Sequence, residues 1–121
     1  WGFDIGGHSP AHADFSKMEP KEIFKQVRSS VEDLQARFQV NTRYFSFPFT
    51  SAGIPAEVIH KLLDEGVAEV LLGTAGLKQT GKTHFIQRIP MEEFDGPASK
   101  ALKTEYLYYL MKGPLGRNKL S

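Results

Sequence analysis

Ile23, Val27, Val31, Leu34 and Phe38 recur at steps of three and four, and this is the first strong apolar rhythm of the chain. The spacing predicts one apolar face on a helix of about 18 residues. Glu19-Pro20-Lys21-Glu22 opens it. Pro20 suits a first helical turn, where its missing N–H is no loss, and Glu22 favours the positive end of the helix dipole. Upstream, Trp1 to Ile5 reads as the tail of a buried strand, followed by Gly6-Gly7 and a polar loop over 8–14. Tyr44 to Phe49 is a short aromatic run, a strand that Pro48 brings to an end. Pro55 opens a second helix with Val58, Ile59, Leu62 and Leu63, and Gly66 caps it. Val67 to Leu72 reads as a strand, Gly73 to Thr83 as a glycine-bearing loop, and Phe85 to Met91 as a further strand. Pro97 to Lys112 reads as a last helix packed through Leu102, Tyr106, Tyr109 and Leu110, and Gly113-Pro114 stops it.

The order is β–loop–α–β–α–β–β–α, which predicts an α/β fold with parallel strands joined by crossover helices. About four strands and three helices make either a small open sheet or half of a barrel. A parallel sheet wants helices on both faces, and three helices cover four strands thinly.

Composition narrows this picture by exclusion. A length of 121 residues gives a single domain, and 40% hydrophobic with 12% aromatic residues fits a packed core rather than disorder. Fifteen Lys and Arg against 14 Asp and Glu leave a net charge of +1, unlike the basic excess of a general nucleic-acid binder. No apolar run approaches the ~18 residues of a membrane span. Cysteine is absent, which removes disulfides and thiolate zinc sites. The chain opens at Trp1 without a visible signal peptide, and it is read as a processed, excised or partial piece of something longer.

His8 and His12 carry the sharpest chemical signal. Neutral imidazoles are good zinc ligands, and a four-residue step lets two of them converge. The alternative is a pair of surface histidines in a polar loop. A catalytic zinc takes three protein ligands, so the pair is incomplete by itself. The run Phe45-Ser46-Phe47-Pro48-Phe49-Thr50 is the second signal. Ligands of β/α folds bind at the carboxyl ends of strands. Phe45 and Phe47 fit core packing, whereas Phe49 and Thr50 lie beyond the proline and are expected to be exposed.

Gly76-Leu-Lys-Gln-Thr-Gly81-Lys82-Thr83 matches the bare phosphate-loop pattern, but that motif needs a helix opening at the lysine. Phe85 to Met91 is β-like, so a connecting loop is the favoured reading. His60 reads as a helix-surface residue, and His84 has no supported role. Tyr106, Tyr108 and Tyr109 read as helix packing, and Lys112, Arg117 and Lys119 as a solvated basic tail.

Taken in order, these segments resemble the polysaccharide deacetylases of carbohydrate esterase family four. Gly2-Phe3-Asp4-Ile5-Gly6-Gly7-His8-Ser9-Pro10-Ala11-His12 resembles that family's His-Ser/Thr-x-x-His motif after a short strand end. Phe45-Ser46-Phe47-Pro48-Phe49 resembles its aromatic-Pro-aromatic strand end, which lines the substrate groove. Phe85-Ile86-Gln87-Arg88-Ile89-Pro90 is similar to a later strand ending in Arg-Ile/Leu-Pro. The resemblance covers residue 1 to about residue 93.

It implies part of a distorted (β/α) barrel and a divalent metal, zinc by preference, with His8 and His12 as metal ligands. It implies Pro48 and Phe49 as substrate-binding residues and an N-acetylated polysaccharide as substrate. Hydrolysis of the acetamide would leave a free amine and acetate. The resemblance alone favours a cell-envelope or secreted location; the sequence itself fixes none.

The departures are specific. The family's Thr-Phe-Asp-Asp motif, source of the metal aspartate and the general base, lies upstream of the histidines, and Asp4 does not match it. Ser46 stands near where the family often has an arginine, and no late Leu-x-His motif is present. The expectation is therefore the carboxy-terminal half of a deacetylase barrel over 1–121, with the amino-terminal half as its missing partner. A non-catalytic carbohydrate-binding relative is the alternative.

Overall fold

A computed structural model of the chain describes residues 2–91, 95–116 and 119. Helix α1 spans Pro20–Phe38, with Pro20 in its first turn as the sequence suggests. Ile23, Val27 and Val31 are buried, but the stripe leaves the core at its end, where Phe38 is exposed. Gln39 turns left-handed at φ 54° and closes the helix by donating its N–H to Gln35. Helix α2 spans Ala56–Asp64 and buries Val58, Ile59 and Leu62. Gly66, at φ 66°, follows it as the expected terminator, its N–H donating to the Leu63 carbonyl at 3.0 Å.

Three strands form one parallel sheet in the order β1-β2-β3: Tyr44–Ser46, Val70–Gly73 and Phe85–Gln87. Phe45 pairs with Leu71, and Leu71 with Phe85, so three large apolar residues stand in one row. That row faces α1 and α2 and joins Ile23, Val27, Leu62 and Phe15 in the core. Phe45 and Phe47 lie edge-on to each other with centroids 5.2 Å apart, and Phe15 meets both at 5.8 and 5.5 Å. Edge-to-face rings suit the aromatic quadrupole and stiffen this part of the core. Tyr44, Val70, Leu72 and Ile86 alternate onto the opposite face, where burial is incomplete and Ile86 is 49% exposed.

Four expectations need correction. Residues 2–6 form no strand; Gly7 alone makes a parallel bridge to Phe45, so the sheet has three strands rather than about four. The described residues form an open three-stranded sheet. β2 begins at Val70, because Val67 and Ala68 are spent in the buried turn after α2, where Ala68 N–H donates to the Leu62 carbonyl. β3 stops at Gln87, before Pro90, which cannot donate to a ladder.

The last correction concerns helix α3, Ala98–Lys112. Ala101 is its one buried residue, and Leu102, Tyr106, Tyr108 and Leu110 are all exposed. The apolar residues run round the helix instead of along one stripe, so no single face can be presented to the sheet. α3 is tethered through Tyr109, whose hydroxyl donates to the Ala75 carbonyl at 3.0 Å. No helix among the described residues is long and apolar enough to cross a membrane.

Candidate functional site

The site is assembled at the carboxyl end of β1. Gly7 N–H donates to the Tyr44 carbonyl at 2.7 Å, and Ser46 N–H donates to the Gly7 carbonyl at 2.8 Å. This brings the backbone before His8 alongside β1. Only glycine allows the approach: a Cβ at Gly7 would stand 2.7 Å from Ser30 Oγ and 3.0 Å from the Phe45 ring. His8 therefore emerges at a defined height beside Ser46.

His8 Nδ1 lies 2.8 Å from the Ser46 carbonyl oxygen. A carbonyl only accepts, so Nδ1 carries the proton and the Nε2 lone pair of the neutral ring is left free. The next residues turn back sharply, with Ser9 at φ 75° and His12 at φ 46°. Such values are strained for residues with a Cβ. The result sets the two imidazoles 5.0 Å apart between ring centroids, at 64° to each other. Both histidines are exposed. Asp14 anchors the far side of the loop by accepting from Ser16 N–H and Ser16 Oγ. The Ser16 hydroxyl first, and Lys17 after it, hold the Asp14 carboxyl below its ordinary value.

Past β1 the chain makes its third strained turn at this end of the sheet. Pro48 is fully buried, and Phe49 takes φ 52° with its ring 63% exposed. That ring meets His12 edge-on at a centroid distance of 4.7 Å. Of the two residues expected to line a substrate groove, Phe49 is exposed and Pro48 is buried. Thr50 is half-buried, its hydroxyl accepting from Ala52 N–H at 3.0 Å.

His8 shares a cleft of about 450 Å³ with Asp4, Ser46, Leu72 and Arg88. Arg88 follows β3 and crosses two strands: Nε donates to the Gly73 carbonyl at 3.2 Å and Nη2 to the Phe47 carbonyl at 3.0 Å. Sequence reasoning noted Arg88 only as part of Arg-Ile-Pro. A usable signal was its position two residues after Ile86, which places both on the sheet face turned away from the helices.

Other candidates do not join the pair. His60 lines a separate cavity of about 540 Å³ with Lys78 and Lys82, between α2 and the loop before β3. His84 is exposed just ahead of β3. No helix opens at Lys82, which reaches Asp64 at 3.9 Å, so the phosphate-loop pattern lacks its required context. Among the described residues, no three His, Cys, Asp or Glu side chains converge as a metal cage. The His8–His12 pair fits a divalent cation in donor type and free lone pair, and falls short of one in donor number.

Comparison with protein families matches residues 1–69 to the model described as polysaccharide deacetylase. The match takes in His8, His12, Pro48 and Phe49 and stops just before β2. No curated protein and no solved structure matches the chain.

Proposed function

The chain belongs to the polysaccharide deacetylase family, and from that premise we propose that it is part of a zinc-dependent hydrolase removing N-acetyl groups from an amino-sugar polymer. The observation that carries the reading is the neighbouring imidazoles, 5.0 Å apart, with His8 tied to the Ser46 carbonyl. His8 and His12 are two of the metal ligands, each as a neutral ring. A zinc ion held there supplies Lewis-acid polarisation of the acetamide carbonyl and a more acidic water. The exposed Phe49 ring beside His12 offers a flat apolar surface for a sugar ring. Water adds across the amide, leaving a free amine on the polymer and acetate.

The third ligand and the general base come from the family's aspartate motif, ahead of the histidines in the same barrel. On this reading the face carrying Tyr44, Val70, Leu72 and Ile86 is the inner wall of that barrel, and the half bearing the aspartates is its partner. Acetate release from an N-acetylated glucosamine polymer tests the proposal. The intact protein is expected to release acetate in zinc, and His8→Ala to abolish release; unchanged release by His8→Ala overturns it. Among the described residues no third donor converges on the pair, and the other reading is a non-catalytic saccharide-binding relative. That relative would bind the polymer and release no acetate.

A further inference from the structure

The segment Ser46–Phe49 touches both imidazoles, and by different means. The Ser46 carbonyl accepts a hydrogen bond from His8 Nδ1 at 2.8 Å. Three residues on, the Phe49 ring meets His12 at 4.7 Å. Phe47 lies between them, with its side chain locked in the core and its carbonyl accepting from Arg88 at 3.0 Å. Phe47 N–H is also committed, donating to the Leu72 carbonyl at 2.9 Å. The turn that follows is strained, since Phe49 has a left-handed φ of 52° without being glycine. A strained turn persists only where its surroundings hold it. Arg88 supplies such a hold from two strands away, and its second bond, to the Gly73 carbonyl, ties the end of β2 to the same guanidinium.

We infer that Arg88 is a positioning residue for the histidine pair, acting through the Phe47 carbonyl to set the Ser46–Phe49 template on which His8 and His12 are oriented. It is not a catalytic residue in this role, because it touches the template and neither imidazole. The planar fork matters, because one guanidinium satisfies carbonyls on two strands at once, whereas a lysine ammonium is a single point donor on a flexible stem. The inference rests on the proposed metal role only for its binding consequence; the orientation of the two rings stands apart from it.

The test uses the metal-free protein first. Side-chain nitrogen NMR reads the His8 tautomer, and the ring protons of His12 report the shielding from Phe49. Arg88→Met, which keeps an apolar stem and removes both bonds, is expected to mix the His8 tautomers and move the His12 signals. Arg88→Lys is expected to fall between Met and the native protein. Zinc affinity by calorimetry is then expected to drop about 10- to 100-fold in Arg88→Met, the range usual for loss of groups that orient metal ligands. Should Arg88→Met not fold, Arg88→Lys carries the same readings with smaller shifts. Unchanged His8 and His12 signals in a folded Arg88 variant overturn the inference. If His8→Ala leaves zinc affinity untouched, the metal reading fails instead, and the metal-free signals still decide the role of Arg88.

Discussion

α1 and α3 are both long helices rich in apolar residues, and they end in opposite surroundings. α1 places Ile23, Val27 and Val31 on one line and buries all three against the sheet. α3 carries Leu102, Tyr106, Leu107, Tyr108, Leu110 and Met111, and every one of them is exposed. α3 is the richer of the two in apolar residues, so content does not decide burial; angular arrangement does. A stripe can be covered by one neighbour, whereas a helix apolar all round needs neighbours on every side. The region from Gly7 to Gln87 therefore holds the core and the strained site loops, and α3 hangs on it through Ala101, Tyr109 and its contacts with the 75–76 segment.

The contrast is sharpest in side-chain truncation. Phe45→Ala is expected to cost about 3–5 kcal/mol, because it empties a fully enclosed aromatic site. Leu110→Ala is expected to stay within about 0.5 kcal/mol, as for other exposed substitutions. Urea unfolding of the two variants checks both, and equal losses would break the comparison. A smaller effect is expected from Tyr109→Phe, which removes one hydrogen bond worth about 0.5–1.5 kcal/mol. Hydrogen exchange should quicken in α3 and stay unchanged in α1, since the tether serves α3 alone.

The smallest effect concerns the loop between the histidines and α1. The Asp14 carboxyl is held below its ordinary 3.8 by Ser16 and Lys17. A depressed value means stability that is present above pH 3.8 and lost as pH falls through the folded value. Asp14→Asn is expected to lower the melting temperature slightly at pH 7 and to match the native protein below the folded value. A gap of the same size at both pH values would contradict the assignment.

Local features were the legible ones. The first turns of the α1 stripe, the end of β1 ahead of Pro48 and the cap at Gly66 each follow from a few neighbouring residues. The His8–His12 pair was legible because its four-residue step and its setting after two glycines are both local. Pairing was not legible. Phe3 and Ile5 are apolar at strand spacing, yet they remain exposed, with only Gly7 held against β1. A strand needs a partner edge, which its own residues do not specify. The exposed α3 residues fail for the same reason, as burial depends on what stands opposite. Arg88 was invisible as an orienting group because its two acceptors are backbone carbonyls 15 and 41 residues away, and carbonyls leave no mark in a sequence.

On the proposed function, β1 and its strained end hold His8 and His12 as the metal pair of a deacetylase. Zinc titration followed by histidine side-chain nitrogen NMR tests it most directly. The Nε2 signals of His8 and His12 are expected to move together on one binding curve, His60 and His84 to stay still, and His8→Ala to remove the response of His12. Zinc that leaves both rings unmoved, or that shifts one without the other, contradicts it.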